Sequence, residues 1–319
     1  MNLNIFNFKL KMTSKKVKEV MPDFDKIQVS THTVIAKTNA TYDTQRLFHA
    51  LPVTPYVVIP KKRGRKKVIQ TVDPNKDVPT GSIITLKFTD QLRGVNLKPN
   101  KKKSSGKYFR NALSIVMKVK DKLLNFKLSK NGKIQMTGVK TKAHAIQCAK
   151  HLWEHIININ DHTLYNLAQN TLKITFKVVM TNIDFSVGFL VDRNAIDEYF
   201  NINTEYNSLL ETSFGYTGVN IKFPINGNPY KDTSLFMLET KLDKIKWQEK
   251  EIKYDDYFEE LSKADKKKEN NQRYNTFLVF HSGNVIMSGP MRSNMKDVYY
   301  SFLELVKNSK DYIEENLDE

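Results

Sequence analysis

Only one of the 319 residues is a cysteine, Cys148, so the chain builds no internal disulfide framework and suits a reducing compartment. Long apolar runs are missing too. No stretch reaches the roughly 18 apolar residues that span a bilayer. The opening MNLNIFNFKLKM is broken by Asn2, Asn4 and Asn7 and lacks a small-residue cleavage site, so neither a membrane anchor nor a secretory leader is expected. Walker loops, G-x-S-x-G elbows and C-x-x-C pairs are absent. Acidic charge is in deficit: 34 Asp and Glu face 51 Lys and Arg, a formal net charge of +17. Such a surplus attracts a polyanion, nucleic acid first and an anionic membrane surface second.

What the sequence does have is an internal repeat. Residues 131–138 read NGKIQMTG and residues 282–289 read SGNVIMSG, each after a strand-like apolar run, at residues 123–128 and 276–280. Asn131-Gly132 and Ser282-Gly283 tolerate the positive φ that a tight hairpin needs. An amphipathic helix follows each hairpin. Residues 142–156 put Ala145, Ile146, Ala149, Leu152, Trp153 and Ile156 on one face; the later helix does so with Met295, Val298, Tyr299, Phe302 and Val306, with Ser293 as its expected N-cap. Each copy also has an earlier half: a strand at 27–36 or 172–185, a short helix at 44–51 or 194–200, then a strand at 113–119 or 219–223.

The expected organisation is therefore an N-terminal arm at 1–25 without fixed structure, a first repeat at 26–158, a second at 171–308 and an acidic tail at 309–319. Two insertions interrupt it. Residues 56–107 hold the run PKKRGRKK and an extra strand at 83–88; residues 226–273 read as charged and helical, with Trp247, Tyr254, Tyr257 and Phe258. Lys61, Lys62, Arg63, Arg65, Lys66 and Lys67 fit a minor-groove arm, a nuclear-localisation signal or a solvated loop, and Lys101, Lys102 and Lys103 a phosphate-facing loop.

The duplicated order, and above all FLVFHSGNVIMSG at 277–289, resembles the TATA-binding protein family. The match covers about 26–156 and 172–306 without the insertions. The resemblance implies an α+β fold: two pseudo-symmetric repeats forming a saddle-shaped antiparallel sheet, helices on its convex side, and a concave face that meets the DNA minor groove. With Phe280 pointing into DNA, as the resemblance implies, strand alternation puts Leu278, Ile286 and Ser288 on its face and, by the same parity, Gln135 and Thr137 in the first copy. By resemblance the face also takes Val29, Thr31, Ala112, Ser114 and Val116 in the first copy and Met180 and Asn182 in the second. Val285, Met287, Ile134 and Met136 are assigned to the interior.

Members of this family kink DNA with phenylalanine wedges, a mechanism for which the TATA-binding protein is the standard example. By resemblance one wedge falls on Phe280 with Tyr216, or nearby Phe214, as its partner. The other falls on Ala112, near Phe109, and on Leu128. Lys118, Lys133 and Lys222 match phosphate-holding positions. The family's paired central asparagines fall on Ile27 and Val178, which leaves fewer donors for the groove floor.

One motif points elsewhere. His151-Leu152-Trp153-Glu154-His155 fits H-x-x-E-H, in which two histidines one turn apart bind zinc. These histidines lie on the polar helix face, the second copy lacks them and no third ligand follows, so no metal, cofactor or enzyme activity is expected. The resulting expectation is a monomeric transcription initiation factor. It would bind an A/T-rich minor groove and recruit a transcription factor IIB-like protein and RNA polymerase machinery, with no membrane partner. It would work in the nucleus, or in a viral factory or virion if the heavy Lys and Asn usage reflects a large DNA virus or a parasite. The rivals are an architectural or packaging protein without sequence choice and a nucleic-acid-binding subunit of an enzyme.

Overall fold

The computed structural model describes residues 22–58, 73–97, 111–211, 217–242 and 246–315. The fold is α+β, with one large antiparallel sheet backed by helices. The chain begins with β1 (Val29–Thr38), β2 (Thr41–Tyr42) and α1 (Thr44–Ala50), followed by β3 (Ile83–Phe88), β4 (Gln91–Gly94), β5 (Ala112–Val119), β6 (Lys122–Ser129), β7 (Lys133–Val139) and α2 (Lys142–Asn158). After β8 (Tyr165–Asn166) come β9 (Thr171–Ser186), α3 (Arg193–Asn203), β10 (Asn207–Glu211), β11 (Gly218–Ile225), β12 (Ser234–Lys241), β13 (Gln248–Lys253), α4 (Tyr254–Glu259) and α5 (Lys263–Glu269). The last elements are β14 (Arg273–Phe280), β15 (Asn284–Gly289), α6 (Lys296–Asn308) and α7 (Lys310–Ile313).

Strand order in the main sheet is β10-β11-β14-β15-β9-β1-β7-β6-β5-β3-β4, and every pairing is antiparallel. The order mirrors itself about β1·β9: β7, β6, β5 and β3 lead outward on one side, β15, β14, β11 and β10 on the other. The β12–β13 hairpin attaches beside the first half of β9, and β2 pairs β8 in a separate small sheet.

Local chemistry at corresponding points is alike. Gly132 and Gly283 take φ of +77 and +76 at the two hairpin turns. A Cβ there would lie 2.2 Å from the Ala40 carbonyl oxygen or 2.1 Å from that of Phe189, so glycine is needed for space as well as for φ. Each turn is tied to the strand that opens its half: the Thr38 amide donates to the Gly132 carbonyl and the Val187 amide to the Gly283 carbonyl, both at 2.9 Å. Asp43 and Asp192 each cap a short helix by accepting from two amides, Gln45 and Arg46 or Asn194 and Ala195.

Two cores lie under the helices. One takes Leu113, Ile115, Met117, Leu124, Phe126, Ile134 and Met136 from the sheet and Ala145, Leu152 and Trp153 from α2. The other joins Val219, Ile221, Phe277, Val285 and Met287 to Tyr299, Phe302 and Val306 of α6, where Phe277 and Phe302 stack at 4.0 Å. β9 serves both: Leu172, Ile174 and Phe176 enter the first core, Ile183 and Phe185 the second. Among the described residues no helix is long and apolar enough to cross a membrane.

Several expectations need correcting. Residues 226–273 do not form a helical insertion: a β-hairpin comes first, then two short helices. The extra strand expected at 83–88 does form, as β3, and it joins the main sheet between β5 and β4. Ser293 does not cap α6, because a 3-10 turn at Arg292–Asn294 carries the chain in and Met295 stands at the cap without a side-chain bond. The tail is held as far as Glu315, whose amide donates to the Leu190 carbonyl, while Ile313 is fully buried in the second core. The N-terminal arm before Pro22 and the last four residues lie outside the described residues.

Candidate nucleic-acid interface

Because the core side chains of the regular strands point toward α1, α2, α3 and α6, their sequence neighbours form the opposite face, which is open except where α4 and α5 cross the ends of β1, β7 and β9. On β5 this face receives Ala112, Ser114, Val116 and Lys118, alternating with four fully buried neighbours. Lys133, Gln135 and Thr137 follow on β7, with Ile134 and Met136 inside. Ile286 and Ser288 of β15 lie opposite Leu278 and Thr276 of β14, and Phe280 lies opposite Gly218 of β11. Near the middle, Asn182 is paired with both Thr31 and Ser288. Its Nδ2 donates to Thr31 Oγ1 at 3.3 Å, while Oδ1 has no partner among the described residues. Met180 is 38% exposed, an apolar side chain left open in the centre of a sheet.

Two residues assigned to this face belong to the other. Leu128 is fully buried in the first core and pairs with Leu113, which is also buried; the open-face partner of Ala112 is Ser129. Cross-strand partners share a face, so the wedge assignment to Leu128 fails by one position. Val29 packs against the second core beside its partner Ile183. A bulge is the cause: two steps along β1, from Val29 to Thr31, match one step along β9, from Ile183 to Asn182, and the extra residue turns Val29 over. Thr31 keeps its place. Neither Ile27, buried in the second core, nor Val178, which pairs with Val34 of the first core, lies on the open face.

The lysines differ in what already holds them. Lys118 donates to the Asn75 and Val78 carbonyls at 3.0 and 2.6 Å, so its ammonium is engaged by a loop. Lys133 and Lys222 have no carboxylate within ion-pair distance among the described residues. Alternation within β6 also places Leu123, Asn125 and Lys127 on the open face, and β11 adds Asn220; Asn125 pairs with Thr137 and Asn220 with Leu278. The inward run Leu124, Phe126, Leu128 contained that signal. Tyr216, Phe214 and Phe109 lie outside the described residues, as do Lys61, Lys62, Arg63, Arg65, Lys66, Lys67, Lys101, Lys102 and Lys103.

The zinc-like pentapeptide is spent on structure. His151 Nδ1 bonds the Glu154 carboxylate at 2.9 Å, while His155 donates from Nε2 to the Gly81 carbonyl at 2.8 Å. Among the described residues no group of three His, Cys, Asp or Glu side chains is placed to hold a metal. Cys148 is fully buried on α2, and burial pushes its thiol pKa up.

No family model matches the chain. In sequence it is similar to uncharacterized protein 335L of Invertebrate iridescent virus 6, at 24% identity over 216 residues covering 64% of this chain and 62% of that protein. It is also similar to a TATA-box-binding protein-like protein of Acanthamoeba polyphaga mimivirus, at 29% identity over 184 residues covering 50% of this chain and 49% of that protein. The chain thus spans less than two thirds of the length of either curated relative. Among solved structures it is similar to the Methanococcus jannaschii TBP, with TM-score 0.42, 11% identity, 90% of this chain covered and 99% of that one. The chain is a divergent sequence similar to a TATA-box-binding protein-like protein of a large DNA virus.

Proposed function

We infer that the chain binds double-stranded DNA through the open face, as a two-repeat saddle of the TATA-binding-protein kind extended by two insertions. It grips the minor groove, bends the duplex and offers its helix side to a transcription factor IIB-like protein and the polymerase machinery. One observation carries the reading. A sheet face that meets only water normally bears charged and polar side chains. Here it bears Val116, Leu123, Met180, Leu278, Phe280 and Ile286, with hydroxyl and amide groups among them and lysines around them, on a chain of net charge +17. Apolar side chains left open in this way mark a binding surface. Hydroxyls and amides suit a groove floor that offers acceptors at A·T pairs.

Phe280 supports bending at the second half's end. A second reading, an architectural protein with little sequence choice, is favoured by the first half: among the described residues none of its strands projects an aromatic side chain onto the open face, and the central asparagine positions are Ile27 and Val178. Competition between TATA and scrambled duplexes separates the two. The first reading expects the A/T element to be preferred at least tenfold, the second expects parity. Both expect a log-log salt slope near roughly −4 to −7 for about 4 to 8 phosphates neutralised. A slope near zero would remove the DNA reading altogether.

A further inference from the structure

We propose that the pocket enclosed by α4, α5 and the open-face ends of β1, β7 and β9 is a phosphate-binding site. It goes beyond the DNA reading, because a free phosphate and a backbone phosphate have the same chemistry and either would suit it.

The pocket exists because α4 and α5 lie across the open face. Tyr254 and Tyr257 of α4 bury against Tyr230 and Leu235 in a third, small apolar cluster. On the floor, Ile35, Lys37 and Lys177 project from β1 and β9. Lys133, at the start of β7, pairs with Lys37. Lys268 of α5 and Arg273 complete a ring of five cations, against which the lining holds two carboxylates, Asp265 and Glu269.

Each carboxylate is shared. Asp265 meets Lys37 at 2.7 Å and Lys268 at 3.5 Å; Glu269 meets Lys177 and, at 2.7 Å, Arg273. Lys133 is left without one. Lys177 is 3% exposed, under the rings of Tyr230, Tyr254 and Tyr257, so water screens its charge poorly. Five cations against two carboxylates leave a positive surplus, carried by the exposed Lys133 and Lys268 beside the buried, Glu269-paired Lys177, and an anion at this point offsets it. Phosphate suits the donors present: its oxygens accept from a guanidinium and several ammonium groups at once. The cavity, about 210 Å³, is smaller than the roughly 300 Å³ at which pockets take drug-sized ligands, so it fits a phosphate group rather than a whole nucleotide.

The test is titration calorimetry of the full chain with inorganic phosphate at low ionic strength, on wild type, Lys268→Gln, Lys133→Gln and Lys263→Gln. Lys268 and Lys133 are exposed, so their loss leaves the core intact; Lys263 is on α5 but outside the pocket. Saturable binding is expected in the wild type, at least tenfold weaker in Lys268→Gln and Lys133→Gln, and unchanged in Lys263→Gln. Absence of saturable binding, or equal effects of Lys268→Gln and Lys263→Gln, would overturn the site. Duplex DNA identifies the source of the phosphate. If it is DNA, inorganic phosphate competes with the duplex and Lys268→Gln reduces the salt slope by about 1. If it is a free anion, Lys268→Gln loses phosphate and keeps the duplex. A protein that binds phosphate and no duplex keeps the pocket and loses the DNA reading.

Discussion

Phe277 and Phe280 stand three residues apart on one strand and face opposite ways. Phe277 is fully buried and stacked on Phe302, whereas Phe280 is half-buried beside Gly218 on the open face. Phe277→Ala is expected to cost about 3 to 5 kcal/mol of folding stability, as removal of a packed ring does. Phe280→Ala is expected to cost less than about 1 kcal/mol and to reduce DNA bending, read by end-to-end fluorescence transfer. Equal destabilisation of the two variants in denaturant melts would mean that Phe280 is core. At this scale alternation was a sound guide to Gln135, Thr137, Ile286 and Phe280, since β7 up to Gly138, β14 and β15 are regular there. The resemblance misled at Val29, because a bulge leaves no trace in apolar spacing, and at Leu128, which it reaches only if the hairpin carries one extra residue, whereas the inward run Leu124, Phe126, Leu128 has even spacing.

At the scale of elements, the hairpins, α2 and α6 were legible, since a Gly-bearing turn between apolar runs and a 3.6-residue stripe are local signals. β10, the five residues NSLLE, was not: it has no apolar alternation of its own, and its extended form is fixed by pairing with the next strand, β11. The run QEKEIK reads as helix by composition, yet as β13 it pairs β12 alone among the described residues, and its charges suit an exposed sheet edge. The docking of α5 on the open face could not be foreseen, because it depends on Lys37 meeting Asp265 across 228 residues. That contact has a pH signature. The Lys37 hydrogen bond, against an opposing effect of burial, holds the Asp265 carboxyl below its ordinary value of 3.8. A depressed pKa means that the stabilisation is fully present above 3.8 and is lost as pH falls through the lower folded value. Carboxyl NMR titration of Asp265 is expected to show a midpoint below 3.8 that moves upward in Lys37→Gln. An unchanged midpoint would show that α5 is held without this pair.

For the whole molecule, the mirrored strand order has a mechanical side, which resides in β9. This strand is 16 residues long and carries apolar side chains into both cores, with a change of face between Phe176 and Thr181. That change coincides with an irregular register against β1 near Val179. The two halves cannot melt independently without splitting one strand between a folded and an unfolded partner. Unfolding should therefore be a single event: calorimetric and van't Hoff enthalpies are expected to agree within error, with one heat-capacity peak. A proline at Val179 is expected to lower that peak's temperature, whereas two resolved peaks in the wild type would make β9 a hinge rather than a shared spine. The hydrogen-bonded path from β14 through β15 and β9 to β1 is unbroken, so a load taken at Phe280 has a continuous route into the first half of the sheet.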